Sequence, residues 1–204
     1  MLINCNQEKV VNTIVYLLQN LGGTIYLTKL IKLLYILDEC SVKETGVPFT
    51  WLEYKAWRKG PVPVELYDLL RNKIGTKAVL DLFSEFLIID KKENPLQTDK
   101  DAYLISSKHS FNDDEFCEYE INLMDRIIQR YGSKNSNELI EILHSIDSLW
   151  YKTVEKHQLD FQFNLMQNRS DFTISFTELI KEDLYLQQAY QSAYQSIKFE
   201  NELN

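Results

Sequence analysis

Two small groups of side chains have the spacing that acid–base or metal chemistry needs. His144 and Asp147 are three residues apart, so on a helix they would share one face, where a carboxylate could orient a general base. Such a site also needs a nucleophile or a bound substrate, and no motif supplies one, so we interpret His144 as a structural residue near a helix end. The acidic run 113–115 could bind a metal, but a helix N-terminus, where the macrodipole favours acids, explains it better.

The other residues that commonly carry chemistry are dispersed along the chain. The cysteines and histidines lack metal-ligand spacing, and phosphate-binding glycine loops, C-x-x-C pairs, H-E-x-x-H and calcium-loop motifs are absent. We therefore predict no catalytic residue, no metal, no cofactor and no enzymatic activity. An odd number of unpaired cysteines indicates reduced thiols and a cytoplasmic protein. The dispersed residues are Cys5, Cys40, Cys117, His109, His144 and His157.

The acidic charge is concentrated in the second half of the chain. The formal net charge is −8; residues 1–110 carry 14 basic and 13 acidic side chains, whereas residues 111–204 carry 8 and 17. This distribution favours a basic protein partner over a nucleic-acid backbone as the primary partner. No apolar run approaches the ~20 residues of a membrane span, and the N-terminus does not resemble a signal peptide, so no membrane partner is expected.

The apolar residues recur at helical spacing through most of the chain. Two short apolar runs, 86–89 and 102–105, instead predict strands joined by the polar stretch 91–101, as in the wing of a winged-helix fold. The sequence therefore predicts an α+β fold, a predominantly helical single domain with a small antiparallel hairpin or sheet. Residues 59–63 are predicted to form a rigid loop because two prolines fix the backbone there.

Capping residues define the predicted helix boundaries. Residues 158–171 are aromatic and irregular, and no structure is predicted for them. Predicted helices cover 7–21, 29–42 with Thr28 as its cap, 63–73, 77–83, one opened by Asn112 and Glu115 and ended by Gly132, one capped by Ser136, and a last one opened by Ser175 and Glu178.

Two motifs in the first half resemble a known family. The sequence runs KLIKLLYILD from Lys29 to Asp38 and AWRKGPVPVELY from Ala56 to Tyr67. This resembles the Panacea domain, the SocA-like, phage-associated family of bacterial antitoxins, which shows a K-L-x-K-L-L-Y helix followed by A-W-x-x-G-P-V-x-x-x-x-Y. A later Y-G pair, at 131–132, and a histidine followed by a tryptophan also match. One departure is Phe111-Asn112, where family members often have Leu-Ser.

The resemblance covers residues 6–156 and implies an antitoxin domain. Residues 157–204 are unmatched and are predicted to be a C-terminal extension packed on that domain. The implied partner is a cognate protein toxin, neutralised by direct binding or handed to a cellular protease by the antitoxin acting as an adaptor. Neither mode needs catalysis. The partner-binding residues that the motifs suggest are Trp57, Arg58, Gly60, Pro61, Val62, Tyr67, His144 and Trp150.

Two alternatives stay open from the sequence. The motif residues could serve only to build the fold, with glycine allowing a tight approach and the aromatic side chains packing on a helix. The chain could also be a phage- or mobile-element-encoded DNA-binding transcriptional regulator that uses the winged-helix-like element. Small basic pairs in the first half favour that second alternative, although each has acids nearby; they are Lys29 and Lys32, Arg58 and Lys59, Lys73 and Lys77, and Lys91 and Lys92.

Overall fold

The structure is a computed structural model that describes residues 6–92, 102–165 and 167–203. Cys5 and the stretch 93–101, most of the predicted connection between the two strands, lie outside the described residues. Strands are β1 (Thr24–Tyr26), β2 (Tyr54–Trp57), β3 (Gly60–Pro63), β4 (Leu87–Lys92) and β5 (Ala102–Ser107). Helices are α1 (Gln7–Asn20), α2 (Leu27–Thr45), α3 (Val64–Asn72), α4 (Lys77–Phe86), α5 (Glu118–Tyr131), α6 (Ser136–Leu143), α7 (Leu149–Lys156), α8 (Leu159–Asn164) and α9 (Leu184–Leu203), with a 3-10 turn at Phe176–Leu179.

Helix α2 forms the centre of the core. Its side chains are buried on most of its surface, as predicted from the apolar residues that cover more than half of the helix. The predicted Thr28 cap is wrong, because α2 follows β1 directly and has Tyr26 at its N-cap without a side-chain hydrogen bond. The helix ends at Gly46, whose φ of 79° gives a left-handed stop. A Cβ at Gly46 would lie 2.3 Å from the carbonyl oxygen of Leu186, so glycine also allows α9 to pack closely.

The two predicted strands form an antiparallel hairpin inside a larger sheet. Strand β5 lies between β1 and β4, with Ile105 opposite both Ile25 and Ile89. The α+β fold with a small antiparallel sheet is therefore confirmed. The third strand, β1, follows directly after α1 and connects the sheet to the start of α2.

The predicted rigid loop at 59–63 is instead a strand of a second, two-stranded sheet. Strands β2 and β3 are antiparallel, with Trp57 opposite Gly60, and Arg58 and Lys59 form the turn between them. Gly60 has a φ of 96°, a conformation that a tight turn requires and that other residues adopt only with strain. The prolines occur at positions that their fixed φ allows, because Pro61 and Pro63 lie on a short strand that ends at the N-cap of α3.

Several predicted helix starts are wrong because local hydrogen bonds favour other caps. The Asn112 side chain accepts from the amide of Asp114 at 2.9 Å and forms a turn, and α5 starts only at Glu118. Asn135, not Ser136, caps α6. Ser175 and Glu178 open a 3-10 turn, and the last helix begins at Leu184. The unassigned stretch 158–171 contains α8 and the start of an extended segment.

Candidate functional site

The β2–β3 turn presents a cationic and aromatic surface. Arg58 and Lys59 are exposed, and Trp57 is partly exposed. The guanidinium carbon of Arg169 lies 4.6 Å from the centre of the Trp57 ring, a cation–π distance. On the other side, Trp57 packs edge-to-face on Tyr67 with ring centres 5.3 Å apart. We call Trp57, Arg58, Lys59 and Arg169 the hairpin tip.

A C-terminal segment, residues 168–174, fixes the hairpin by pairing with β2 as an extended strand would. The amide of Arg58 donates to the Asn168 carbonyl at 3.0 Å, and that of Ala56 to the Phe172 carbonyl at 2.9 Å. The buried hydroxyl of Ser170 donates to the Ala56 carbonyl at 2.6 Å. These bonds satisfy backbone groups that would otherwise form an open sheet edge.

Behind the hairpin lies a buried polar cluster formed by three parts of the chain. Trp150 donates its indole N–H to the Trp57 carbonyl at 2.8 Å and stacks on His144 with ring centres 3.6 Å apart. Lys32, on α2, donates from Nζ to the Pro61 carbonyl at 2.6 Å. A Cβ at Gly60 would lie 3.1 Å from that Nζ and 3.6 Å from His144 Nε2, so a larger residue would press on the Lys32 ammonium group.

Burial changes the protonation of this cluster. Lys32 is 1% exposed, and its burial, followed by the charge of Lys59, lowers its pKa to about 7. Burial and the nearby Lys32 lower the pKa of His144 to about 4. At neutral pH His144 is therefore uncharged. Its Nε2 is buried and has no hydrogen-bond partner among the described residues.

The eight residues that the motifs suggested meet in one region but differ in exposure. Gly60, Pro61, Val62 and Trp150 are buried, so a partner could not touch their side chains in this conformation. Arg58 is exposed, and Trp57, Tyr67 and His144 are partly exposed. The structure thus separates residues that can meet a partner from residues that support them.

Sequence reasoning missed several members of this region. Lys32 was grouped with Lys29 as a basic pair for DNA contact, but its ammonium group is buried. Its position among leucines on a helix that is apolar over more than half its surface was an available signal. Asn168, Arg169 and Ser170 belong to the stretch without predicted structure, and no local pattern marks their pairing with β2, more than a hundred residues earlier.

The two groups considered for acid–base or metal chemistry do not form such sites in the described residues. His144 stacks on Trp150 and directs Nε2 toward Gly60, while Asp147 is exposed. The acidic run 113–115 precedes α5, contrary to its predicted place at a helix start. The Glu115 carboxylate accepts a hydrogen bond from the side-chain amide of Asn6 at 2.8 Å. No three histidine, cysteine or acidic side chains gather into a metal site in the part of the chain that is described.

No helix within the described ranges combines the length and the apolar character that a membrane span requires.

Comparison with known proteins found no match among curated proteins or among solved structures. The model of one family does match, over residues 30–151, and its description is antitoxin SocA-like, Panacea domain. The matched stretch includes α2, the hairpin, His144 and Trp150. The chain therefore belongs to the SocA-like antitoxin family defined by the Panacea domain.

Proposed function

We propose that the chain neutralises a cognate protein toxin by binding it directly. The family match over residues 30–151 is the observation that carries this proposal. Neutralisation by binding requires a stable surface and no reaction chemistry, which agrees with a region whose polar groups are used for packing. Handing the toxin to a cellular protease, as an adaptor, is a second way in which the same surface could act.

The hairpin tip is the surface that we propose for this contact. It offers a tryptophan and arginines, the residue types that most often carry binding energy at protein interfaces. Backbone bonds from the 168–174 segment and the indole of Trp150 hold the tip in place. A surface that is already ordered loses little conformational entropy on binding. Three of its four side chains are cationic, so the toxin surface that meets it should be acidic.

The acidic second half is the other candidate contact. Residues 111–204 carry an excess of nine acids, and α6 exposes Glu138 and Glu141. Such a surface would attract a basic part of the toxin at long range and would mainly raise the rate of association. The two surfaces differ in the sign of the charge that they would attract, and substitutions can therefore separate them.

The test is rescue of cells from the toxin encoded beside this chain, together with measured affinity for it. We expect Arg58→Ala to weaken binding by ~2 kcal/mol if it is an interface anchor. Glu141→Lys should mainly slow association and change its salt dependence. Glu141 is preferable to Glu138, whose carboxylate accepts from the Asn135 amide at 2.7 Å and caps α6. Full rescue and wild-type affinity in both folded variants would place the interface elsewhere.

The stability of the toxin separates the two modes of neutralisation. If the chain only sequesters its toxin, the toxin's half-life in cells should be unchanged or longer when both are expressed. If the chain is an adaptor, the half-life should shorten, and removal of the responsible protease should restore it. In both modes the Arg58→Ala variant should lose its effect in proportion to its lost affinity.

The transcriptional regulator remains the second candidate because the β4–β5 hairpin occurs in a three-stranded sheet after a helix, as a wing would. The preceding helix, α4, carries Lys77 but also Asp81 and Glu85, so its charge does not favour a phosphate backbone. A mobility-shift assay with the DNA upstream of its own gene tests this. Sequence-selective, salt-sensitive binding by the isolated chain would favour the regulator.

A further inference from the structure

A small polar cleft opens beside the hairpin where five segments meet. It has a volume of about 240 Å³, and its walls come from the start of α2, the β2–β3 turn, α3, β5 and the start of α6. Its lining includes two cations, Lys59 and Arg71, and among the residues that the structure describes there it includes no carboxylate. In a chain with 30 acids and 22 bases, this is a local reversal of charge.

The described partners of Arg71 orient its guanidinium group without neutralising it. Its guanidinium carbon lies 5.5 Å from the centre of the Tyr67 ring and 5.2 Å from that of Tyr103, and it donates to the Tyr67 hydroxyl. Tyrosine partners fix the position of the guanidinium but leave its positive charge, which a carboxylate partner would cancel. A planar guanidinium held in this way can bind two oxygens of one anion.

The first turn of α2 adds further donors at the wall of the cleft. Leu27 and Thr28 line it, and Tyr26, at the N-cap, makes no side-chain bond to the amides of that turn. The first amides of a helix have no acceptor within the helix, and the macrodipole places partial positive charge there. At α6, by contrast, the Asn135 side chain already accepts from the amides of Asn137 and Glu138.

The size of the cleft limits what it can hold. Pockets for drug-sized ligands are roughly 300–1,000 Å³, so this cleft suits a single small group. Tetrahedral oxyanions present several acceptors to converging donors, and arginine, lysine and helix amides are the groups that bind them. A neutral polar ligand would leave the charges of Lys59 and Arg71 without compensation.

We propose that this cleft binds a phosphate group, either free or as the phosphate of a small monoester, with Arg71 and Lys59 as its main contacts. This proposal does not rest on toxin binding, although the cleft shares Lys59 with the hairpin tip. The charge of Lys59 also lowers the pKa of the buried Lys32. An anion bound in the cleft would weaken this repulsion between the two ammonium groups.

Titration of the full chain with phosphate tests the proposal. The probes are inorganic phosphate, adenosine monophosphate and acetate, each at constant ionic strength, followed by calorimetry and by thermal midpoint. We expect saturable binding of one phosphate per chain and a midpoint that rises with phosphate concentration. Acetate should bind far more weakly. Preference for adenosine monophosphate would identify a monoester as the ligand, and equal affinity would identify the phosphate group alone.

Variants decide whether the cleft is the site. Arg71→Gln should lower phosphate affinity by about tenfold or more. Arg71→Lys should have an intermediate affinity, because it keeps the positive charge but loses the planar guanidinium group that can bind two oxygens. Lys59→Gln, at an exposed turn, provides a second test if Arg71→Gln is unstable. Arg126→Gln is the control, since Arg126 pairs with Glu44 on another part of the surface. Absence of saturable binding, equal binding of acetate, or unchanged affinity in both cleft variants would overturn the proposal.

Discussion

Lys32 lies on α2, the central helix of the core, and has its ammonium group almost fully buried. Within the described ranges no carboxylate is bonded to it; its bond is to the carbonyl of Pro61, and His144 lies nearby. A buried ammonium group without a counter-charge is costly, and loss of its proton is the usual relief. This explains why its pKa falls to about 7 from an ordinary value of 10.5. The Lys32 side chain thus links α2 to the hairpin that carries the proposed partner surface, and burial of its ammonium group is the energetic cost of that link.

The depressed pKa of Lys32 predicts a pH dependence of stability. Between pH 7 and 10.5 the unfolded chain retains a proton that the folded chain has released, so the free energy of unfolding should rise with pH across this range. Below pH 7 both states are protonated and the contribution is constant. We expect urea denaturation of the wild type to show this rise between pH 7 and 9, before tyrosines titrate, and Lys32→Met to lack it.

The control for that experiment is Lys43→Met, which changes an exposed lysine. If the Lys32→Met and wild-type curves stay parallel from pH 7 to 9, Lys32 does not titrate there.

At lower pH two groups have opposite effects on stability. The pKa of His144 is lowered to about 4, so its titration makes the free energy of unfolding rise with pH between pH 4 and 6.5. Burial raises the pKa of Asp38 to about 6, so its titration makes the free energy of unfolding fall with pH between pH 3.8 and 6.

At the residue scale the motifs indicated residues that the fold brings into one region, but not the position of each side chain within it. The spacing of Trp57, Gly60 and Tyr67 identified a family, because sequence motifs are local properties. Whether a side chain supports the turn or faces outward depends on what packs behind it. Trp150 shows this: it is 6% exposed because it spans from His144 to the Trp57 carbonyl, which only the tertiary structure reveals.

Among the elements, the β2–β3 hairpin depends on a segment that sequence patterns did not find. Helices are set by neighbours along the chain, and most of them were predicted to within a few residues, whereas α7, α8 and the strands β2 and β3 were not predicted. The pairing of 168–174 with β2 joins residues more than a hundred positions apart, so no local periodicity announces it. The same reason explains the missed third strand, in which β1 pairs with β5.

Ser170 provides a test of this pairing. Its buried hydroxyl donates to the Ala56 carbonyl, so Ser170→Ala should lower the free energy of unfolding by ~1 kcal/mol through loss of one buried hydrogen bond. Ser175→Ala is the matched control, because that exposed hydroxyl bonds only to the Thr177 side chain among the described residues. Its effect should stay within about 0.5 kcal/mol. Equal losses for the two variants in urea denaturation would mean that the segment does not hold the hairpin.

Over the whole molecule, the buried core extends beyond the family match on both sides. Before residue 30, α1 buries eight side chains, and after residue 151 several large apolar residues are also buried. The prediction of a domain at 6–156 with an extension at 157–204 packed on it came from motif matching, which detects shared sequence and not shared packing. The charge asymmetry gave no sign of this continuity, because buried apolar residues carry no charge.

The final prediction concerns that extension: removing residues 157–204 should abolish cooperative folding. Among the described residues, the deletion takes five buried apolar side chains from the core, each contributing ~1.5–3 kcal/mol, a loss comparable to the ~5–15 kcal/mol that stabilises an ordinary domain. It also leaves the amides of Ala56 and Arg58 without their carbonyl partners. The buried residues that would be lost are Leu159, Phe163, Ile174, Phe176 and Ile180.

Truncation after Tyr194 is the matched control, because it removes only the distal part of α9, where Gln195, Ser196 and Lys198 are exposed. We expect this shorter deletion to keep a cooperative thermal transition by circular dichroism, and the chain ending at 156 to lack one. A cooperative transition near the wild-type midpoint in the 1–156 chain would instead support a domain that ends there. The distinction affects how toxin rescue is interpreted, because a tail deletion that fails to rescue would reflect unfolding of the hairpin tip and not loss of a contact made by the tail.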